Sequence, residues 1–70
     1  MTENKSIVVS KAELRVLDLV AKGFTSETIG LQLEITKNTV QTHRRNMLRK
    51  TGFNNTQQLV GWAVKERLVK

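Results

Sequence analysis

Five side chains, Asn38, Gln41, Thr42, Arg45 and Arg49, fall on one strip when residues 37–50 are wound at 100° per residue. The strip carries amides, a hydroxyl and guanidinium groups, and no aliphatic or acidic group. Arg, Gln and Asn are the side chains that make two-pronged hydrogen bonds to purine edges in the major groove, and threonine can meet a thymine methyl or a base edge. Val40, His43, Met47 and Leu48 gather on the opposite side, which must therefore pack against the rest of a domain. A helix shaped only for solubility would mix Glu with Lys to gain i,i+4 pairs. Gln41 and Arg45 are the leading base-reading candidates, with Thr42 and Asn38 beside them. The plain alternative for each is solvated surface. Arg49 lies farther along and suits a phosphate. Arg44 lies nearer the core side, so its stem packs while its guanidinium reaches toward the nucleic-acid backbone.

The charge pattern points the same way. Twelve Lys and Arg stand against six Asp and Glu, a net +6. Between Ile35 and Lys65 there is no acid, yet Lys37, Arg44, Arg45, Arg49, Lys50 and Lys65 lie there. One region of the fold should carry a positive potential suited to a partner with phosphates, the alternative being a solvated cationic face.

Other chemistries find little support. His43 is the only histidine and there is no cysteine, so a metal or nucleophilic site lacks partners. His43 reads as a packed residue at the inner edge of its helix, with a phosphate contact as the alternative. Glu13 has a sufficient role as a helix cap. With no nucleophile–base pair and no glycine-rich phosphate loop, an enzyme is the least favoured reading, and no cofactor or small-molecule ligand is expected. RNA binding would want an aromatic stacking platform, which residues 37–50 do not offer. A basic adaptor that binds an acidic protein surface of the transcription machinery is the main competitor; the amides and the threonine on the strip argue against it. No apolar run approaches the roughly 18 residues of a membrane span, so no membrane partner is expected and the reading is cytoplasmic.

The elements that must position the strip follow from caps and periodicity. Seventy residues make one domain with a thin core. Residues 1–8 read as a flexible arm or linker remnant and 9–70 as the domain. A first helix is expected over 11–22, with Ser10 and Glu13 as a capping box and Gly23 as the left-handed terminator. Its stripe is Leu14, Leu17 and Ala21, widened by Val16 and Val20. A second helix over 26–33 is capped by Thr25, with Ile29 and Leu33 facing inward. Gly30 costs this helix roughly 1 kcal/mol against alanine. Two helices crossing at a sharp angle, with their backbones approaching at this residue, would explain it; a tolerated weak spot is the alternative. Glu34, Ile35 and Thr36 form a turn, and a third helix follows over 37–50, closed by Gly52. A fourth is expected over 56–68, with Asn55 as cap, Gln58 as its capping-box partner, and a stripe of Leu59, Val60, Ala63, Val64 and Leu68. Trp62 lies beside that stripe, either covering the core edge or serving a subunit contact. The fold class is thus all-α, a four-helix helix-turn-helix domain with the third helix as reader.

In these residues the chain resembles the LuxR-type, or GerE-type, helix-turn-helix domain. The resemblance runs from about Val9 to Val69. Val9-Ser10-Lys11-Ala12-Glu13 is similar to the family's opening, and Thr25, Ile29, Leu33, Ile35 and Thr36 match its second helix and turn. Thr39-Val40-Gln41-Thr42-His43 matches its most diagnostic segment, and Met47, Lys50 and Gly52 follow in register. The chain departs from the pattern at Ala12, Thr28, Gly30, Thr51, Thr56 and Arg67, the last standing where the family has glycine. The resemblance implies a third helix in the major groove, with base readers at Gln41, Thr42 and Arg45. It implies backbone or fold roles at Lys37, Thr39 and Lys50. It also implies a homodimer on an inverted repeat of double-stranded DNA. The contact would lie on the fourth helix, where Leu59, Trp62 and Ala63 are the candidates. A bacterial response regulator with RNA polymerase as a further partner is the expected setting.

Overall fold

The computed structural model describes residues 9–69. The arm expected over residues 1–8 lies outside the described residues. Four helices follow one another: α1 (Lys11–Ala21), α2 (Ser26–Leu33), α3 (Lys37–Thr51) and α4 (Thr56–Lys65). There is no strand among the described residues.

Each helix begins where a short polar side chain can accept from the first turn. Ser10 Oγ accepts from the Glu13 N–H at 3.1 Å, while the Glu13 carboxylate accepts from the Ser10 N–H at 3.0 Å, completing the capping box. Thr25 caps α2 through the Thr28 N–H at 3.2 Å, and Thr36 caps α3 through the Thr39 N–H at 3.1 Å. Asn55 caps α4 through the Gln58 N–H at 2.9 Å. The Gln58 side chain does not return to the cap residue as expected; it accepts from the Asn54 N–H, one residue earlier, at 2.9 Å.

The helix ends separate into two kinds. Gly23 (φ +96°) and Gly52 (φ +81°) take the left-handed conformation that glycine adopts freely. Glu34 and Arg67 take the same conformation at φ 61° with a side chain attached, at a cost of roughly 1–2 kcal/mol each. Arg67 explains why α4 stops at Lys65 instead of running to Leu68. The Arg67 N–H donates to the Val64 carbonyl at 3.0 Å and the Leu68 N–H to the Ala63 carbonyl at 2.8 Å. These two bonds form a Schellman closure, and the chain turns back so that Val69 is buried.

Gly30 does face a close backbone, but that of the following turn rather than of a crossing helix. A Cβ there would lie 2.7 Å from the Ile35 carbonyl oxygen and 3.3 Å from the Lys37 nitrogen. The partner is the turn itself, which closes when the Ile35 N–H donates to the Gly30 carbonyl at 2.9 Å. Thr51, another departure from the family pattern, satisfies its hydroxyl locally by donating to the Met47 carbonyl at 2.7 Å.

All four helices and both ends of the described chain supply the core: Val9, Val16, Leu17, Ile29, Val40, Met47, Leu59, Ala63 and Val69. In α1 the stripe is centred on Val16 and Leu17, and Leu14, Val20 and Ala21 are only half-buried. Val64, expected inside, is 52% exposed. It sits in the last turn of α4, and the returning Leu68 and Val69 close that end of the core in its place.

Candidate nucleic-acid interface

The third helix is anchored from one side only. Val40 and Met47 are fully buried, and His43 and Leu48 flank them half-buried. This is the apolar side drawn by the 100° spacing. The other side, Asn38, Gln41, Thr42, Arg45 and Arg49, is exposed at every position. None of these five joins a side-chain hydrogen bond or ion pair among the described residues. Lys37, in the first turn, is exposed as well. The result is a rod about four turns long, held at its back, with amide, hydroxyl and guanidinium groups along its front.

The remaining candidates on α3 have partners within the domain. Thr39 lies at its start, its hydroxyl 2.9 Å from that of Thr36. Arg44 projects sideways: Nη1 donates to Ser26 Oγ at 2.7 Å and Nη2 to Thr56 Oγ1 at 3.1 Å. Its guanidinium therefore ties α3 to the first residue of both α2 and α4. Lys50, expected on the nucleic-acid backbone, turns back toward α1 and pairs with Glu13 Oε1 at 2.6 Å. Burial pushes the Glu13 carboxyl up. The hydrogen bond from Lys50, the Ser10 N–H and the charges of Lys50 and His43 outweigh that effect, so its pKa lies below the ordinary carboxylate value. Glu13 thus closes two structures, the cap of α1 and the α1–α3 pair, and the second was not apparent in the sequence.

Beside the exposed strip lies an open depression of about 350 Å3 lined by Gln41, Arg44, Arg45, Leu48 and Thr56. It holds two guanidinium groups and no carboxylate. Among the described residues, no group of three His, Cys, Asp or Glu could hold a metal ion, and no helix is long and apolar enough to cross a membrane.

The fourth helix carries the three candidates for a subunit contact, Leu59, Trp62 and Ala63. Leu59 and Ala63 are 1% and 0% exposed, so both belong to the monomer's own core and offer no surface to a second chain. Trp62 is half-buried and packs on Phe53, ring centroids 5.8 Å apart at 49°. Its indole N–H is buried without a partner. Of the three, only Trp62 borders the outer surface, in a shallow depression with Phe53, Gln58, Gly61 and Lys65.

Comparison with known proteins agrees with this geometry. Residues 8–63 match the model of the bacterial regulatory proteins, luxR family (GerE). The oxygen regulatory protein NreC of Staphylococcus aureus, in strains JH9, JH1 and Mu3, is 33% identical over 63 residues. That alignment covers 90% of this chain and 29% of the relative, so the chain spans under a third of the length of the curated relatives it matches. No solved structure matches significantly. With four capped helices, an outward α3 and a family match over most of its length, the chain belongs to the luxR family of bacterial regulatory proteins, as a helix-turn-helix DNA-binding domain of transcription regulation.

Proposed function

We propose that this domain reads a specific double-stranded DNA site by laying α3 in the major groove. Gln41, Thr42, Arg45 and Asn38 face the base edges. Lys37, Thr39, Arg44 and Arg49 serve the phosphates, with His43 at the inner margin. Lys50 has its main role in the scaffold, since its ammonium is already paired with Glu13. The observation that carries this reading is the exposed, unpaired and acid-free strip on a helix whose opposite side packs on the core through Val40 and Met47. Phosphate neutralisation supplies affinity and the strip supplies choice. The working form is a homodimer on an inverted repeat. Its contact involves Trp62 and the exposed side of α4, because Leu59 and Ala63 are enclosed. The setting is the bacterial cytoplasm, as the output domain of a response regulator with RNA polymerase as a further partner.

Selection from random duplex DNA at two salt concentrations tests this. An enriched palindrome with affinity falling steeply in salt is the expected result. Absence of enrichment, together with tight capture of an acidic protein, would support the adaptor reading. The amides and the threonine on the strip argue against that alternative.

A further inference from the structure

Ser26 and Thr56 are both the first residue of a helix, and neither is needed to cap it. Thr25 already accepts from the Thr28 N–H, and Asn55 from the Gln58 N–H. The spare hydroxyls are aimed at one group, the Arg44 guanidinium, at 2.7 and 3.1 Å. No carboxylate pairs with Arg44 among the described residues. The contrast with Lys50 is informative. Lys50 is held by a carboxylate that cancels its charge. Arg44 is held by neutral oxygens that fix its direction and leave its charge whole. The place is also electrostatically poor for a cation, since it adjoins the positive ends of two helix dipoles. Monomer stability alone is thus a weak reason for an arginine there. Its guanidinium borders the same depression as Gln41 and Arg45, so it lies next to the reading strip with three donors beyond the two hydroxyl bonds.

We propose that Ser26 and Thr56 are positioning residues that hold Arg44 as a pre-aimed, un-neutralised cation for one phosphate of the bound duplex. This proposal rests on the DNA-binding reading above. Fixing the fork in advance removes the ordering cost that a free arginine would meet on binding. The two hydroxyls therefore affect DNA affinity without touching DNA, and only through Arg44.

The test uses the full chain with Arg44→Gln, Thr56→Val, Ser26→Ala and the double variant Thr56→Val/Arg44→Gln. Duplex affinity is measured across a salt series, and thermal melting is followed alongside. Arg44→Gln should weaken specific and random duplexes alike by about five- to ten-fold and reduce the slope of log affinity against log salt by about 0.9. Thr56→Val and Ser26→Ala should each weaken binding by about two- to four-fold, and the Thr56→Val loss should vanish when Arg44 is already Gln. If Ser26→Ala fails to fold, the Thr56→Val cycle decides alone, and Thr56→Ser should restore binding. An unchanged salt slope in Arg44→Gln, or a Thr56→Val loss that persists in the double variant, overturns the proposal while leaving DNA binding intact. If the unmodified chain binds no duplex at any salt, both readings fall.

Discussion

The front and the flanks of α3 are built from similar residues and treated in opposite ways. On the front, Asn38, Gln41, Thr42, Arg45 and Arg49 are exposed and take no side-chain partner among the described residues. On the flanks, Arg44 bridges Ser26 and Thr56, Lys50 pairs with Glu13, and Thr51 bonds back onto its own helix. One helix thus carries cations for two purposes. The Lys50–Glu13 pair ties α3 to α1, while Arg44 is held in one direction by the first residues of α2 and α4. Front groups stay open because any internal partner would have to be displaced before a base edge could bind. A buried donor or acceptor left unpaired costs about 1–3 kcal/mol, so pairing on the flanks and openness on the front are both economical.

The division between front and flanks depends first on the packing beneath α3. Met47 is fully buried at the centre of the α3 contact, and Met47→Ala should cost about 2–5 kcal/mol. Urea denaturation should show it, with DNA binding lost together with the fold. A front substitution should do the reverse. Arg45→Ala should cost roughly 1–3 kcal/mol of preference for one base position, with the melting temperature unchanged. If competition between matched and mismatched duplexes is the same for variant and parent, α3 is not the reader.

A flank substitution should fall between these. Glu13→Gln keeps the shape but weakens both the cap and the pair with Lys50, and should lower stability by about 1–2 kcal/mol. Because the folded pKa of Glu13 is depressed, its contribution is fully present above the ordinary carboxylate value. It is lost as pH falls through the lower, folded value. Denaturation midpoints across acidic pH should therefore decline less steeply for Glu13→Gln than for the parent. The smallest change sharpens the picture: Arg67→Gly removes a side chain from the left-handed turn and should raise stability by about 1 kcal/mol. Calorimetry measures this, and a fall in melting temperature would show that the Arg67 side chain has a packing role.

The sequence was most readable where the physics is local. Helix starts at Lys11, Ser26, Lys37 and Thr56 agree with their caps, because a cap bond joins residues three apart. The exposed strip was legible because the 3.6-residue period of a helix is independent of what packs on it. The end of α4 was less legible, because it falls on Arg67, where no glycine marks the left-handed turn; Glu34 takes the same conformation, yet α2 ends at Leu33 as expected. The destinations of Lys50 and Arg44 were not legible either. Their partners lie 37 and 18 residues away in the chain, at Glu13 and Ser26. Leu59 and Ala63 show the same limit: periodicity places them on an apolar stripe, but a stripe can face its own core or another chain.

By itself the sequence determined four helices, an all-α class, a basic second half and the polar front of the third helix. These depend on nearest-turn hydrogen bonds and on the angular step of a helix, which any short window contains. Only the tertiary structure decided which cations remain open and which are bound, that the turn leaves no room for a Cβ at Gly30, and that α4 closes on Arg67. Those outcomes depend on side chains brought together by packing, and packing is a property of all four helices at once.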